Sequence, residues 1–147
     1  MMTFDNDGQA LKKLHARIAD IHDGYRGSID RTTDGAAAAF FEGFREMHDR
    51  HMAALDRLML ARELEPMADG TWARLSHAGM MAFRQIVHHL DGRVIDTAIR
   101  SERTLLDLYD EALEAVRSDG DARAVLLNQK SDILHRIMVD DLAAMAA

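Results

Sequence analysis

The stretch AAAAFFEGFREMHDRHMAALDRLMLAREL, residues 36–64, decides the fold class. Its apolar residues Phe40, Phe44, Met47, Leu55, Leu58 and Met59 recur three and four positions apart, the period of a helix face and not of a strand. Alanine, leucine, methionine and arginine fill the rest, and all are strong helix formers. Glu65-Pro66 ends the run, because proline disfavours helical backbone in the residue before it. Two histidines, His48 and His51, interrupt the apolar stripe three residues apart, and so share a face.

Three further stretches repeat the pattern. Upstream, residues 7–31 place Leu11, Leu14, Ile18, Ile21, Tyr25 and Ile29 on one face, and Thr32-Thr33-Asp34-Gly35 breaks the helix. Downstream, residues 92–118 carry Ile95, Ala98, Leu105, Tyr109, Ala112, Leu113 and Val116. A turn at Ser118-Asp119-Gly120-Asp121 follows, with Asp119 and Asp121 as caps. The last helix, 122–144, is expected to turn Leu127, Leu134, Leu142, Met138 and Met145 inward. Residues 66–91 are too many for a hairpin and read as a crossover with a short amphipathic helix over 71–90. Short outer links and one long middle connection predict an all-α fold. Its architecture is a ferritin-like antiparallel four-helix bundle, with a short fifth helix in the crossover and a single domain over residues 1–147.

Composition narrows the function. The 147 residues include one proline and no cysteine, which excludes a disulfide framework, thiol chemistry and cysteine-type zinc sites. A net charge of −7 leaves no basic surplus to displace counterions from phosphate, so nucleic acid is not an expected partner. No apolar run is long enough for a membrane, and no basic leader with an apolar core is seen, so the expected location is the cytoplasm. No Ser/His/Asp triad, phosphate loop or nucleotide fingerprint is present to suggest catalysis.

Polar residues on the stripes are the chemical lead. His22 lies in the first helix, His48 and His51 in the second, Glu102 in the third, and Asp132 with His135 in the fourth. Each is near the middle of its helix, so antiparallel packing brings them to one level. A buried carboxylate costs several kcal/mol unless paired or ligated, on the order set by ion desolvation. Imidazole and carboxylate ligate iron, zinc, copper, manganese or nickel, which makes these six residues a candidate metal site. The alternative is a metal-free network in which Glu102 meets His51 or His135, closed by Tyr25 or Tyr109. Methionines such as Met138 read as packing residues, and His15 as a rim residue.

The segments His22-Asp23-Gly24-Tyr25-Arg26, Leu64-Glu65-Pro66, and Ala98 to Leu113 with Glu102, Tyr109 and Glu111-Ala112-Leu113 resemble a bacterial ferritin-like family of the domain-of-unknown-function type. The resemblance implies a four-helix bundle. The wider superfamily implies a dinuclear iron or manganese centre, built from one glutamate on each of two helices and Glu-x-x-His on the other two. This sequence keeps Glu102. It carries Asp132-x-x-His135 on the fourth helix, His48-x-x-His51 on the second, and His22 where such relatives tend to have glutamate. Fewer carboxylates offer less charge to two ferric ions, so ferroxidase-type chemistry is not expected. A single nitrogen-rich site for a transition metal such as iron, zinc or manganese, or no metal site, fits better. Three functions therefore compete: a metal-binding protein in metal or oxidative-stress handling, a non-enzymatic association module, and an enzyme using a remodelled metal centre. The second would form a homo-oligomer, a dimer, through Trp72, Phe83 and Ile86 of the crossover helix.

Overall fold

The computed structural model describes residues 2–32, 35–65 and 92–146. These form four α-helices: α1 (Met2–Arg31), α2 (Gly35–Ala61), α3 (Gly92–Ala115) and α4 (Gly120–Ala146). Among the described residues there is no strand. None of the described helices is long and apolar enough to cross a membrane. The expected helix over 71–90, with Trp72, Phe83 and Ile86, lies outside the described residues.

Several helix ends differ from the sequence expectation, and at the end of α2 and the start of α4 the reason is local. Helix α1 begins at Met2, five residues before the expected start. Helix α2 stops at Ala61, before the proline acts. Glu63 takes a left-handed backbone, φ 56°, and the chain closes with Leu64 N–H on the Met59 carbonyl (2.9 Å) and Glu63 N–H on the Leu60 carbonyl (3.1 Å). This pair of bonds satisfies helix-end carbonyls that would otherwise be orphaned. Helix α4 begins where Asp119 Oδ1 accepts the Ala122 N–H (3.1 Å), the bond of an N-cap. Asp119 Oδ2 also receives Arg62 Nε at 2.8 Å and Arg62 Nη2, tying the end of α2 to the start of α4. The Arg62 guanidinium holds the Asp119 carboxyl below its usual range.

The main helix contacts close a ring, α1 to α2, α2 to α4, α4 to α3 and α3 to α1. Along α1 and α2 the paired residues run in opposite senses. His15 Nε2 is 2.7 Å from Asp56 Oδ1, and His22 Nε2 is 2.8 Å from Asp49 Oδ1, one heptad apart on each helix. Along α2 and α4, His51 meets Asp132 while Arg136 lies over the Phe44 ring, 5.6 Å from its centroid. Gly43 admits that guanidinium: a Cβ there would sit 1.8 Å from Arg136 Nη2.

The core follows the expected faces of three helices. Leu11, Leu14, Ile18 and Tyr25 of α1 are fully buried, as are Phe41, Phe44 and Leu55 of α2 and Ala98, Leu105 and Tyr109 of α3. Helix α4 is the exception. Leu127, Leu134 and Met138, expected inside, are 45%, 41% and 60% exposed. The buried face is Ala122, Leu126, Gln129, Ile133 and Ile137. Apolar residues stand side by side at Leu126-Leu127, Ile133-Leu134 and Ile137-Met138, so the sequence supports two stripes about 100° apart. Packing uses the other one.

Candidate functional site

Each of the four helices sends a polar side chain toward the middle of the protein. Tyr25 comes from α1, His48 and His51 from α2, Glu102 from α3 and Gln129 from α4, and all five are buried. They sit there because each occupies a stripe position among apolar neighbours, so burying the stripe buries them.

Glu102 is the centre. Its Oε1 accepts a hydrogen bond from the Tyr25 hydroxyl at 2.6 Å and lies 2.6 Å from His48 Nε2. Glu102 and His48 side chains have no exposed surface. The Tyr25 and His48 rings stack, 14° apart in plane and 6.0 Å between centroids. Burial, then the charge and hydrogen bond of Glu102, push the Tyr25 hydroxyl well above its ordinary value, so it stays a donor. These contacts compensate the buried carboxylate, but on one oxygen only: Glu102 Oε2 has no hydrogen-bond partner.

A second group lies between α2 and α4. His51 Nε2 is 3.0 Å from Asp132 Oδ2, whose side chain is 57% exposed. Gln129 Nε2 donates to the His51 carbonyl at 3.0 Å, and the Tyr109 hydroxyl donates to Gln129 Oε1 at 2.8 Å. Burial lowers the His51 imidazole's affinity for a proton, more than Asp132 raises it. With both carboxylates ionised, these contacts assign the ring proton of His48 and of His51 to Nε2. In a neutral ring each Nδ1 is then the lone-pair nitrogen, and both Nδ1 atoms are buried without a hydrogen-bond partner. The two rings lie 6.1 Å apart at 73°.

The structure brings together four of the six residues singled out in the sequence. His48 joins Glu102, and His51 joins Asp132. His22 is at the edge of the α1–α2 seam, facing Asp49 and, at 3.5 Å, Asp23. His135 is exposed on α4, because the helix packs on its other stripe. Glu102 therefore meets His48, not the expected His51 or His135, and Tyr25 closes the contact. His15, read as a rim residue, is half-buried against Asp56. Sequence reasoning missed Gln129, although its place between Leu126 and Ile133 marks it as a stripe residue. It also missed Asp49 and Asp56, whose heptad spacing mirrors that of His15 and His22. Among the described residues, no group of three or more His, Cys, Asp or Glu side chains could hold a metal ion.

Residues 7–115 match the model of a family described as a domain of unknown function, DUF2383. The chain belongs to this family. The DUF2383 match takes in Tyr25, His48, His51 and Glu102, while Gln129, Asp132 and all of α4 lie beyond its end. No curated protein and no solved structure matches the chain.

Proposed function

We propose that this DUF2383 protein is a ferritin-like antiparallel four-helix bundle that binds a single transition-metal ion on imidazole nitrogen in its core. Its role is metal or oxidative-stress handling by binding, without catalysis. The observation that carries the reading is the state of His48 and His51. Both imidazoles are buried, both Nε2 atoms face carboxylates, and both Nδ1 atoms are without a hydrogen-bond partner. A histidine that ligates through one nitrogen commonly gives its other N–H to a carboxylate, which fixes the tautomer. An unpaired buried acceptor costs about 1–3 kcal/mol, so bare lone pairs in a core call for an electrophile.

A dinuclear centre of the ferritin type does not fit the described residues. It needs carboxylates from all four helices around two ions, and here Glu102 is the single buried acid. No step through such a centre is derived. What the residues support is nitrogen donation from α2, with Glu102 and Asp132 orienting the rings.

The test is elemental analysis of protein purified without a histidine tag, with zinc, manganese, ferrous and cuprous titrations of wild type and His51→Ala. One equivalent bound by the wild type and lost in the variant supports the reading. Substoichiometric metal, with the same affinity in His51→Ala, overturns it.

A second reading has its own observation. Leu127, Leu134, Met138 and Val139 leave an apolar face on α4 exposed. An association module with a metal-free polar centre, dimeric and cytoplasmic, would use such a face. Light scattering of Leu134→Glu tests it; an unchanged mass with wild type already monomeric rules it out.

A further inference from the structure

We propose that the ion bound in this core is monovalent copper, held by the imidazoles of His48 and His51 together with the thioethers of Met47 and Met52. The inference rests on the metal reading above and names its ion. The sequence Met47-His48-Asp49-Arg50-His51-Met52 is symmetric in donor type: sulfur, nitrogen, two charged residues, nitrogen, sulfur. On a helix turning about 100° per residue, the four donors fall within an arc of about 140°, and Asp49 and Arg50 fall outside it. The structure agrees with that division. Met47 is 3% exposed, His48 and His51 are buried, Met52 is packed against the core, and Asp49 and Arg50 are exposed.

Donor chemistry then selects the ion. Thioethers are soft ligands that favour Cu(I), while imidazole serves it as well as it serves divalent ions. Hard cations need several carboxylate or carbonyl oxygens. The two carboxylates at this level, Glu102 and Asp132, already face the imidazole Nε2 atoms at 2.6 and 3.0 Å. Charge points the same way. Burying an ion is costly unless its charge is matched, and one buried carboxylate, Glu102, matches one positive charge. The thioethers add none.

The test uses the full chain and Cu(I) supplied anaerobically from its bicinchoninate complex, whose colour is lost as copper transfers. Wild type is expected to take one equivalent. The double variant Met47→Leu/Met52→Leu keeps volume and apolarity but removes sulfur, and should bind about tenfold or more weakly. His51→Gln should weaken binding as well. Met59→Leu, a buried methionine elsewhere on the same helix, should leave it unchanged. X-ray absorption of the loaded protein should show sulfur in the first shell, and lose it in the double variant. Sulfur absent from the wild-type shell, or equal copper affinity in the double variant, overturns the copper assignment. If zinc or manganese then binds in a His51-dependent way, the metal reading survives alone. If no ion binds, both fall.

Discussion

Glu102 and His48 meet across the middle of the protein, Oε1 2.6 Å from Nε2, with no exposed surface on either side chain. Their helices, α3 and α2, are not neighbours in the ring of main helix contacts, so this bond spans its centre. Tyr25 donates to the same oxygen from α1. Three helices thus converge on one atom. A buried acid and imidazole rarely improve stability over a hydrophobic pair, but separating them is expensive.

Replacing one partner should therefore cost more than replacing both. Glu102→Leu leaves His48 buried without its acceptor, an expected loss of about 3–5 kcal/mol. His48→Leu strands the carboxylate and should cost a similar amount. The double variant should lose less than the sum of the two, since neither the carboxylate nor the imidazole is left behind, and the Tyr25 hydroxyl still has the Ala98 carbonyl at 3.5 Å. Urea unfolding of the four proteins of this cycle measures the coupling. Additive losses would show that the contact contributes nothing of its own.

His51 sets a pH dependence whose sign can be worked out. Burial lowers its proton affinity in the folded protein below that of the unfolded chain. The unfolded state then takes up a proton first as pH falls, so the stability His51 contributes is whole above the unfolded value, about 6.5, and is lost as pH drops through the folded one. The urea midpoint should fall between pH 7.5 and pH 5. The drop should be smaller in His51→Gln, which keeps a polar side chain but does not titrate. An equal drop in both would assign the slope to other groups.

Most of this architecture was legible in the sequence because three helices have one apolar stripe each. On α1, α2 and α3 a single face satisfies the helical period, and Leu14, Phe44 and Leu105 could only point inward. The polar interruptions Glu102, His48 and His51 were carried inward with those stripes. Helix α4 has two stripes, and its local pattern cannot say which one is covered. That ambiguity turned His135 outward and hid Gln129. The partners of the histidines were less legible still. Asp49 and Asp56 are ordinary surface carboxylates until the register of α1 on α2 sets them against His22 and His15. Register of this kind depends on both helices at once, and no single stretch encodes it. The end of α2 was missed for the opposite reason, since Glu63 does locally what glycine usually does.

Asp119 combines two roles that a single substitution can separate. It caps α4 through Oδ1 and receives Arg62 through Oδ2. Asp119→Ala removes both and should destabilise by about 1–2 kcal/mol. Asp119→Ser keeps a capping oxygen but lacks the charge that pairs with Arg62, and should recover part of that loss. Because Arg62 lowers the Asp119 proton affinity, the contribution is present above the unfolded carboxylate value and is lost as pH falls toward the folded one. Thermal unfolding at pH 7 and pH 3 reads both effects. A Ser variant no better than Ala at pH 7 would mean that the cap carries no weight.

Glu63 offers the clearest gain in stability. Its φ of 56° crowds Cβ against the carbonyl that follows, a cost of about 1–2 kcal/mol for residues other than glycine. The conformation is held because it lets Leu64 N–H reach the Met59 carbonyl, and because Leu64 lies close to Gly8 of α1, where a Cβ would come within 3.0 Å of Leu64 Cδ2. Glycine adopts the same backbone without strain, though it is freer when unfolded. The net for Glu63→Gly should be a gain of about 0.5–1 kcal/mol, while Glu63→Val, β-branched at a left-handed position, should lose stability. Paired denaturation curves at neutral pH decide it. If Glu63→Gly proves no more stable than the parent, the strain at this helix end is repaid by something the Glu63 side chain itself contributes.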